Sequence, residues 1–301
     1  MARAGAGRLI GIYLPIYGVR HVRPSRPLVA VLAVLSVVFG ILEARWPSIR
    51  GQRRRRPGLG TDLAWWFWNP LVNQPIAFVG VLVVVVPIAL VVTAGGDGAT
   101  LKERLDARET WLSAQPLWLQ TAQLLVLFDV IGYWSHRGFH RIETLWRYHA
   151  VHHSSVELDW LSAVRVHPVN ELGTRVLQAA PIVLLGYDTS LVAAFVPLLT
   201  FYAIGLHANL RWDFGWFRYV IGSPVYHRWH HTTELEGLDR NFAGMFPWLD
   251  IVFGTLYFPR DRQPLEFGIL GDVVPTGLLR QLWYPWRRRR AAADGSVAAE
   301  A

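Results

Sequence analysis

An unbroken apolar run from Leu28 to Leu42, bounded by Arg26 on one side and by Glu43, Arg45 and Trp46 on the other, constrains the fold of this 301-residue chain more than any other feature. A bilayer core is crossed by ~20 apolar residues in a helix, and aromatic side chains collect at its two edges. Leu28–Leu42 approaches that length and has its Trp at the edge. A second span is expected from about Pro75 to Val92, ended by the Gly95-Gly96-Asp97-Gly98 turn. A third opens near Trp118 and runs through Leu124 to Tyr133. Between Thr174 and Leu206 lies a further apolar stretch, broken at Gly186-Tyr187-Asp188, whose halves are short for full crossings; a re-entrant hairpin and two short spans both fit. The charged segment Leu101 to Thr110 reads as a surface loop or short helix. These runs predict an all-α, integral-membrane helical bundle.

Composition agrees with that class, since 52% of the residues are hydrophobic and 15 are Trp. Cys is absent, which excludes a disulfide framework, Cys-ligated metal and a thiol nucleophile. The net charge of +8 is carried almost wholly by Arg, with Lys102 the lone lysine. The arginines cluster beside apolar runs, as headgroup contacts do, so nucleic acid is not an expected partner. Docking of an acidic electron-transfer protein is the sharper reading of the same clusters. The positive-inside rule puts Arg53–Arg56 and Arg287–Arg290 in the cytoplasm, with Trp65, Trp66 and Trp68 at an interface, whereas Arg20, Arg23 and Arg26 pull the N-terminus the same way against three crossings. Leu9 to Val19 makes a poor signal peptide, because it contains Pro15 and no small-residue cleavage site follows. Three parts are expected: N-terminal spans and a basic loop over 1–115, a catalytic domain over 116–260, and a basic, partly disordered tail over 261–301.

Ten of the 11 histidines fall between positions 136 and 231, and they are grouped. His136 and His140 form an HxxxH pair; His149, His152 and His153 form HxxHH; His227, His230 and His231 form a second HxxHH; His167 and His207 stand singly. Residues at i, i+3 and i+4 share one helical face, so each box can aim its imidazoles at one point. Asp129, Tyr133, His136 and His140 lie in one stripe that continues directly from the third span. A lone histidine on an apolar face is usually a satisfied core residue, but three boxes in one short segment point to metal. Their number exceeds what one ion can use, so two metals are inferred. No HExxH, Glu-x-x-His, GxSxG, Walker loop or GxGxxG sequence is present, which removes zincin, carboxylate-bridged di-iron, serine-hydrolase and nucleotide-fold readings.

The boxes and their surroundings resemble the fatty acid hydroxylase (sterol desaturase) superfamily of membrane oxygenases. The resemblance is carried by DVIGYWSHRGFH (Asp129–His140), LWRYHAVHHSS (Leu145–Ser155), RVHPVNE (Arg165–Glu171), HAN (His207–Asn209), SPVYHRWHH (Ser223–His231) and DRNFAGMFPWLDIVFGT (Asp239–Thr255). Ala243 departs from an Asn-Phe-Gly sequence common in the last motif. The resemblance implies a cytosolic histidine-rich cap over a di-iron centre, which takes O₂ and electrons from an external donor (a b-type cytochrome or a ferredoxin-like protein with its reductase). The substrate would be an acyl, sterol or carotenoid lipid, hydroxylated or desaturated, in a bacterial plasma membrane with the site on the cytoplasmic face. By position it makes His136, His140, His149, His152, His153, His227, His230 and His231 ligands, with His167 and His207 completing the set.

Ligating imidazoles need acceptors that fix their tautomers, and Asp129, Glu171, Asp239 and Asp250 are candidates. Asp129 also suits a structural hydrogen bond. Asn209 reads as a weak ligand through water or as a turn cap. Tyr133 and Tyr226 either line the reaction site or pack at the interface. The rival of another class is a histidine-rich metal-binding or transport protein, which would carry its ligands near the bilayer midplane.

Overall fold

The computed structural model describes residues 25–287. The stretch Leu9–Val19, Arg20, Arg23, Arg288–Arg290 and the small-residue tail lie outside the described residues. Among the described residues there is no strand, only two isolated bridges at Pro47–Leu210 and Thr232–Phe267.

Among the described residues, three helices are long and apolar enough to cross a membrane. The first, α1 (Ser25–Arg45), extends the expected run by three residues at each end. Next, α2 (Leu59–Trp68) passes through a π-helical turn at Asn69–Asn73 into α3 (Gln74–Val92) without a break. Those 34 residues measure about 51 Å at ~1.5 Å per residue, well over the ~30 Å of a bilayer core. Only α3 is therefore needed to cross, and α2 packs against the segment Trp160–Val164. The π turn marks the junction, where Asn69 and Asn73 donate to the carbonyls of Val164 and Val166. Val34, Val37, Ile41, Val79, Val83 and Val91 are exposed, a lipid-facing belt rather than a protein core. The short helix α4 (Leu101–Ala107) is set by a Thr100/Glu103 capping box.

The third long helix, α5 (Leu117–Arg141), carries the first histidine box on its last turns, as its stripe predicted. It is followed by α6 (Glu143–His153). The broken apolar stretch forms α7 (Pro168–Leu185) and α8 (Thr189–His207), joined at Gly186. Gly186 has φ +78, and a Cβ there would sit 2.5 Å from the Thr110 side chain, so the turn both needs the left-handed conformation and excludes a side chain. Packing is closest between α3 and α7. Gln74 meets Glu171 at the start of both helices, and Arg108 caps the Val183 and Leu184 carbonyls at the far end. The two helices thus run side by side, and α8 returns from the far end to deliver His207 beside the boxes.

The remaining described helices are short: α9 (Pro224–His230), α10 (Trp248–Val252) and α11 (Leu278–Trp283), joined by irregular segments. The described part of the C-terminal segment, up to Arg287, packs against the helices. Gln281 is buried and accepts from Trp65 Nε1 at 2.6 Å, and Arg147 donates to the Pro285 carbonyl. The basic run divides as well. Arg53, Arg54 and Arg55 are exposed, but Arg56 is buried in an ion cluster with Asp62, Asp159 and Arg165.

Candidate metal centre

The box histidines and His207 converge into two groups. His136, His140, His149, His153 and His230 form one; His152, His207, His227 and His231 form the other, with the ligand atoms of each group within 4.8 Å of one another. α5, α6 and α9 each present their i, i+3, i+4 faces inward. Because His152 and His153 are adjacent on α6, that single helix feeds both groups, and α9 does the same through His227, His230 and its C-cap residue His231.

The Nε2 atoms meet at a regular spacing. The separations are 3.0 Å for His136–His149, 3.2 Å for His149–His153 and 3.1 Å for His153–His230. In the second group His152–His207, His207–His227 and His227–His231 are each at 3.1 Å. Bonds of ~2.1 Å from one metal ion, meeting at right angles, separate their nitrogens by about 3.0 Å.

The opposite ring nitrogens decide what those contacts are. Nδ1–H of His136 donates to the Phe242 carbonyl (2.9 Å), that of His149 to Asn170 Oδ1 (2.8 Å), and that of His230 to the Arg240 carbonyl (2.8 Å). His140 donates to Asp239 Oδ1 at 3.1 Å, His152 to the Arg165 carbonyl at 3.2 Å and His207 to the Ala203 carbonyl at 2.8 Å. A neutral imidazole has one N–H, so where Nδ1 donates, Nε2 carries a lone pair. His136 and His149 therefore face each other as two acceptors, and so do His152 and His207. A cation between them is what reconciles that geometry. The buried Nε2 of His140, which has no hydrogen-bond partner, fits the same reading. Burial, reinforced by neighbouring imidazoles, holds His149, His152, His153, His227, His230 and His231 well below the usual imidazole range, hence neutral and able to ligate.

A strap over residues 239–246 orients the first group. Asp239 and Asn241 take left-handed backbone (φ 53 and 57), conformations that short polar residues tolerate best. The strap then offers the Asp239 carboxylate and the Arg240 and Phe242 carbonyls to three histidines in turn. Asp250 anchors it by accepting from the Phe242 and Ala243 amides and from Tyr226 and Thr255 hydroxyls. Asp129 accepts from the Gly244, Met245 and Phe246 amides at 2.6–2.9 Å. Tyr133 bonds Thr255 Oγ1 at 2.8 Å. So Asp239 reaches a box histidine directly, Asp129 and Asp250 hold the strap by hydrogen bonds, and Tyr133 packs its ring against Phe242 of the strap. Asn209 touches neither group: its amide brackets Ile49, accepting from N–H and donating to C=O. Glu171 pairs with Arg175 at 2.9 Å, and its neighbour Asn170, passed over in the sequence reading, is the residue that holds His149.

His167 is not brought to either group. Its Nδ1 accepts from the Val169 amide, capping α7, and its Nε2–H donates to the Leu282 carbonyl. Burial lowers it to about 4. An unfolded imidazole near 6.5 binds its proton sooner, so stability is full above pH 6.5 and falls as pH drops toward 4, by at most ~3 kcal/mol. His167→Asn keeps an N-capping side chain and should remove this share of acid sensitivity in detergent unfolding, with bound metal unchanged.

The fatty acid hydroxylase family model matches residues 121–255, the segment that contains every residue of both groups. That match, with the relatives below, supports a place in the fatty acid hydroxylase/sterol desaturase superfamily. The chain is 31% identical over 185 residues to the ornithine lipid hydroxylase OlsE of Rhizobium tropici, covering 60% of this chain and 54% of that one. It is 28% identical over 182 residues to the alkylglycerol monooxygenase of Danio rerio, with 59% and 39% covered, and 27% identical over 141 residues to that of Homo sapiens, with 47% and 31% covered. The chain thus spans about half or less of the length of these curated relatives. No solved structure matches it.

Proposed function

We propose that this chain is a membrane-embedded di-iron oxygenase that hydroxylates or desaturates a lipid C–H bond. The observation that carries the reading is the pair of imidazole groups whose Nε2 lone pairs face one another at metal-bridging distances. The eight box histidines and His207 are the proposed ligands, and residues 116–260 the catalytic domain. Imidazole suits several transition metals, and the names of the relatives, hydroxylase and monooxygenase, favour iron. Two irons bound there would supply the oxidising power that no side chain has, consuming O₂, two electrons and two protons as one C–H becomes C–OH and one water leaves. The electrons come from an external b-type cytochrome or ferredoxin-like protein, there being no nucleotide-binding motif in the chain. The protein's own part is to keep the imidazoles neutral, to fix their tautomers through Asp239, Asn170 and the strap carbonyls, and to keep bulk water out by burial.

Exposed Arg53, Arg54 and Arg55 lie at the histidine end of the spans, which supports a cytoplasmic cap in a bacterial plasma membrane under the positive-inside rule. A transport protein would need its ligands along a path through the bilayer, whereas these sit where spans end. The test is anaerobic against aerobic incubation of reconstituted, iron-loaded protein with membrane lipids and a reductant. Oxygen-dependent gain of one oxygen atom or loss of two hydrogens in a lipid, absent for His152→Ala, is expected. Stoichiometric iron with no lipid oxidised under any donor would favour the binding role.

A further inference from the structure

We propose that the strap face of the metal centre is sunk into the leaflet on its own side of the membrane, carried there by two segments of inverted polarity, residues 214–221 and α10. The inference is independent of which metal the histidines hold. In a surface loop the charged side chain turns outward and the apolar ones inward. Over 214–221 the reverse is seen. Arg218, the one charged residue of the stretch, is 1% exposed. It donates to the Phe258 and Pro259 carbonyls at 2.8 and 3.1 Å, lies over the Phe258 ring and pairs with Asp213 at 3.5 Å. Trp216 is 76% exposed, and Phe214, Phe217, Val220 and Ile221 are turned out with it. Phe214 and Gly215 both take left-handed backbone (φ 61 and 59), a conformation costly for a bulky residue, so the turn that presents Trp216 and Phe217 is held by the fold. α10 repeats the pattern: Asp250 is wholly buried, while Ile251 and Val252 are exposed, Val252 to 66%.

The depth of the two segments follows from what they are tied to. The Arg211 N–H donates to the Trp46 carbonyl, level with the end of α1. From there the chain turns back toward the bilayer. The Gly222 carbonyl accepts from the Tyr202 hydroxyl at 2.6 Å, and the Gly222 N–H donates to the Met245 carbonyl at 2.7 Å. Tyr202 precedes His207 on α8 by about 7.5 Å of helix at ~1.5 Å per residue. Asp129, which holds the Gly244, Met245 and Phe246 amides, precedes His136 on α5 by about 10 Å. Both segments therefore reach past the histidines toward the membrane. There they adjoin exposed apolar side chains of the bundle. Leu198 and Phe201 are exposed on α8, and exposed Trp134 of α5 packs edge-on against Phe253, the C-cap of α10. A lipid leaflet is the occupant that continues this belt from α8 to α5. Apolar faces lying in an interface reach ~5–10 Å into it, and Trp is the side chain that collects at that level.

The chain has no cysteine, so a single label can be placed anywhere on an unaltered background. Phe217→Cys, Val220→Cys and Val252→Cys, each carrying a nitroxide, are reconstituted in phosphatidylcholine vesicles. Val37→Cys on α1 is the lipid reference and Arg53→Cys the water reference. Power-saturation EPR compares collisions with O₂, which concentrates in the bilayer, and with a water-soluble nickel chelate. The three labels should lie ~5–10 Å below the lipid phosphates, with O₂ favoured as at Val37. Nickel collisions as frequent as at Arg53 overturn the insertion. Exclusion of both probes also overturns it, and dipolar broadening between chains would then assign the face to a second copy. Each labelled protein is checked by size exclusion against wild type, and Ile221→Cys and Ile251→Cys repeat the measurement wherever a profile departs.

Discussion

Asp62→Ala should destabilise the protein by about 3–5 kcal/mol, the range for removing one partner of a buried ion pair. The Asp62 side chain is fully buried, and Arg56 and Arg165 converge on it. Arg165 Nε donates to Oδ1, and Arg56 Nη2 lies 2.6 Å from Oδ2 as a charge contact outside hydrogen-bond alignment. Arg56 keeps its two-pronged bond to Asp159, but Arg165 keeps only Ser154 Oγ and a long contact to the Gly58 carbonyl. A guanidinium would then be left buried without a counter-charge. The loss reaches the metal centre, because the Arg165 carbonyl is the acceptor for His152 Nδ1. Unfolding in detergent should show the full loss for Asp62→Ala and a partial return of stability when Arg165→Met is added. A loss within the ~1 kcal/mol of a surface pair would contradict this account of the cluster.

Asp250→Ala should release metal from the first histidine group before the second. Its carboxylate is fully buried and takes donors from the Phe242 and Ala243 amides, Tyr226 and Thr255. Each donor left unsatisfied costs ~1–3 kcal/mol, so a loss of several kcal/mol is expected, falling on the strap. The strap supplies the acceptors for His136, His140 and His230, all in the first group. The second group takes its acceptors from Arg165 and Ala203, which Asp250 does not touch. Chelator titration of Asp250→Ala should therefore show one weakened and one near-normal site. Equal weakening of both would mean that the strap does not act through the first group.

The spans were legible because hydrophobic length is a local property: α1, α3 and α5 begin and end close to the apolar runs that predicted them. The boxes were legible because helical periodicity puts i, i+3 and i+4 on one face before any tertiary contact forms. What the sequence concealed depends on partners distant along the chain. Arg56 looks like its three neighbours in a basic run, and only the approach of Asp62 and Asp159 separates it from them. His167 resembles a ligand until Val169 and Leu282 take both its nitrogens. The division into two groups follows from the three-dimensional crossing of α6 and α9. Most of the acceptors that orient the rings are backbone carbonyls, which leave no residue signature; Asp239 and Asn170 are side-chain exceptions, and both lie inside motifs.

The central claim is two metal ions held by two histidine groups, and iron stoichiometry in detergent-purified protein from iron-supplemented cells tests it most directly. Wild type should hold about two irons per chain. His140→Ala/His153→Ala and His227→Ala/His231→Ala should each retain about one after brief chelation, the remaining iron residing in the untouched group. Wild type without bound transition metal, or a single iron lost equally in both variants, would contradict the two-group centre.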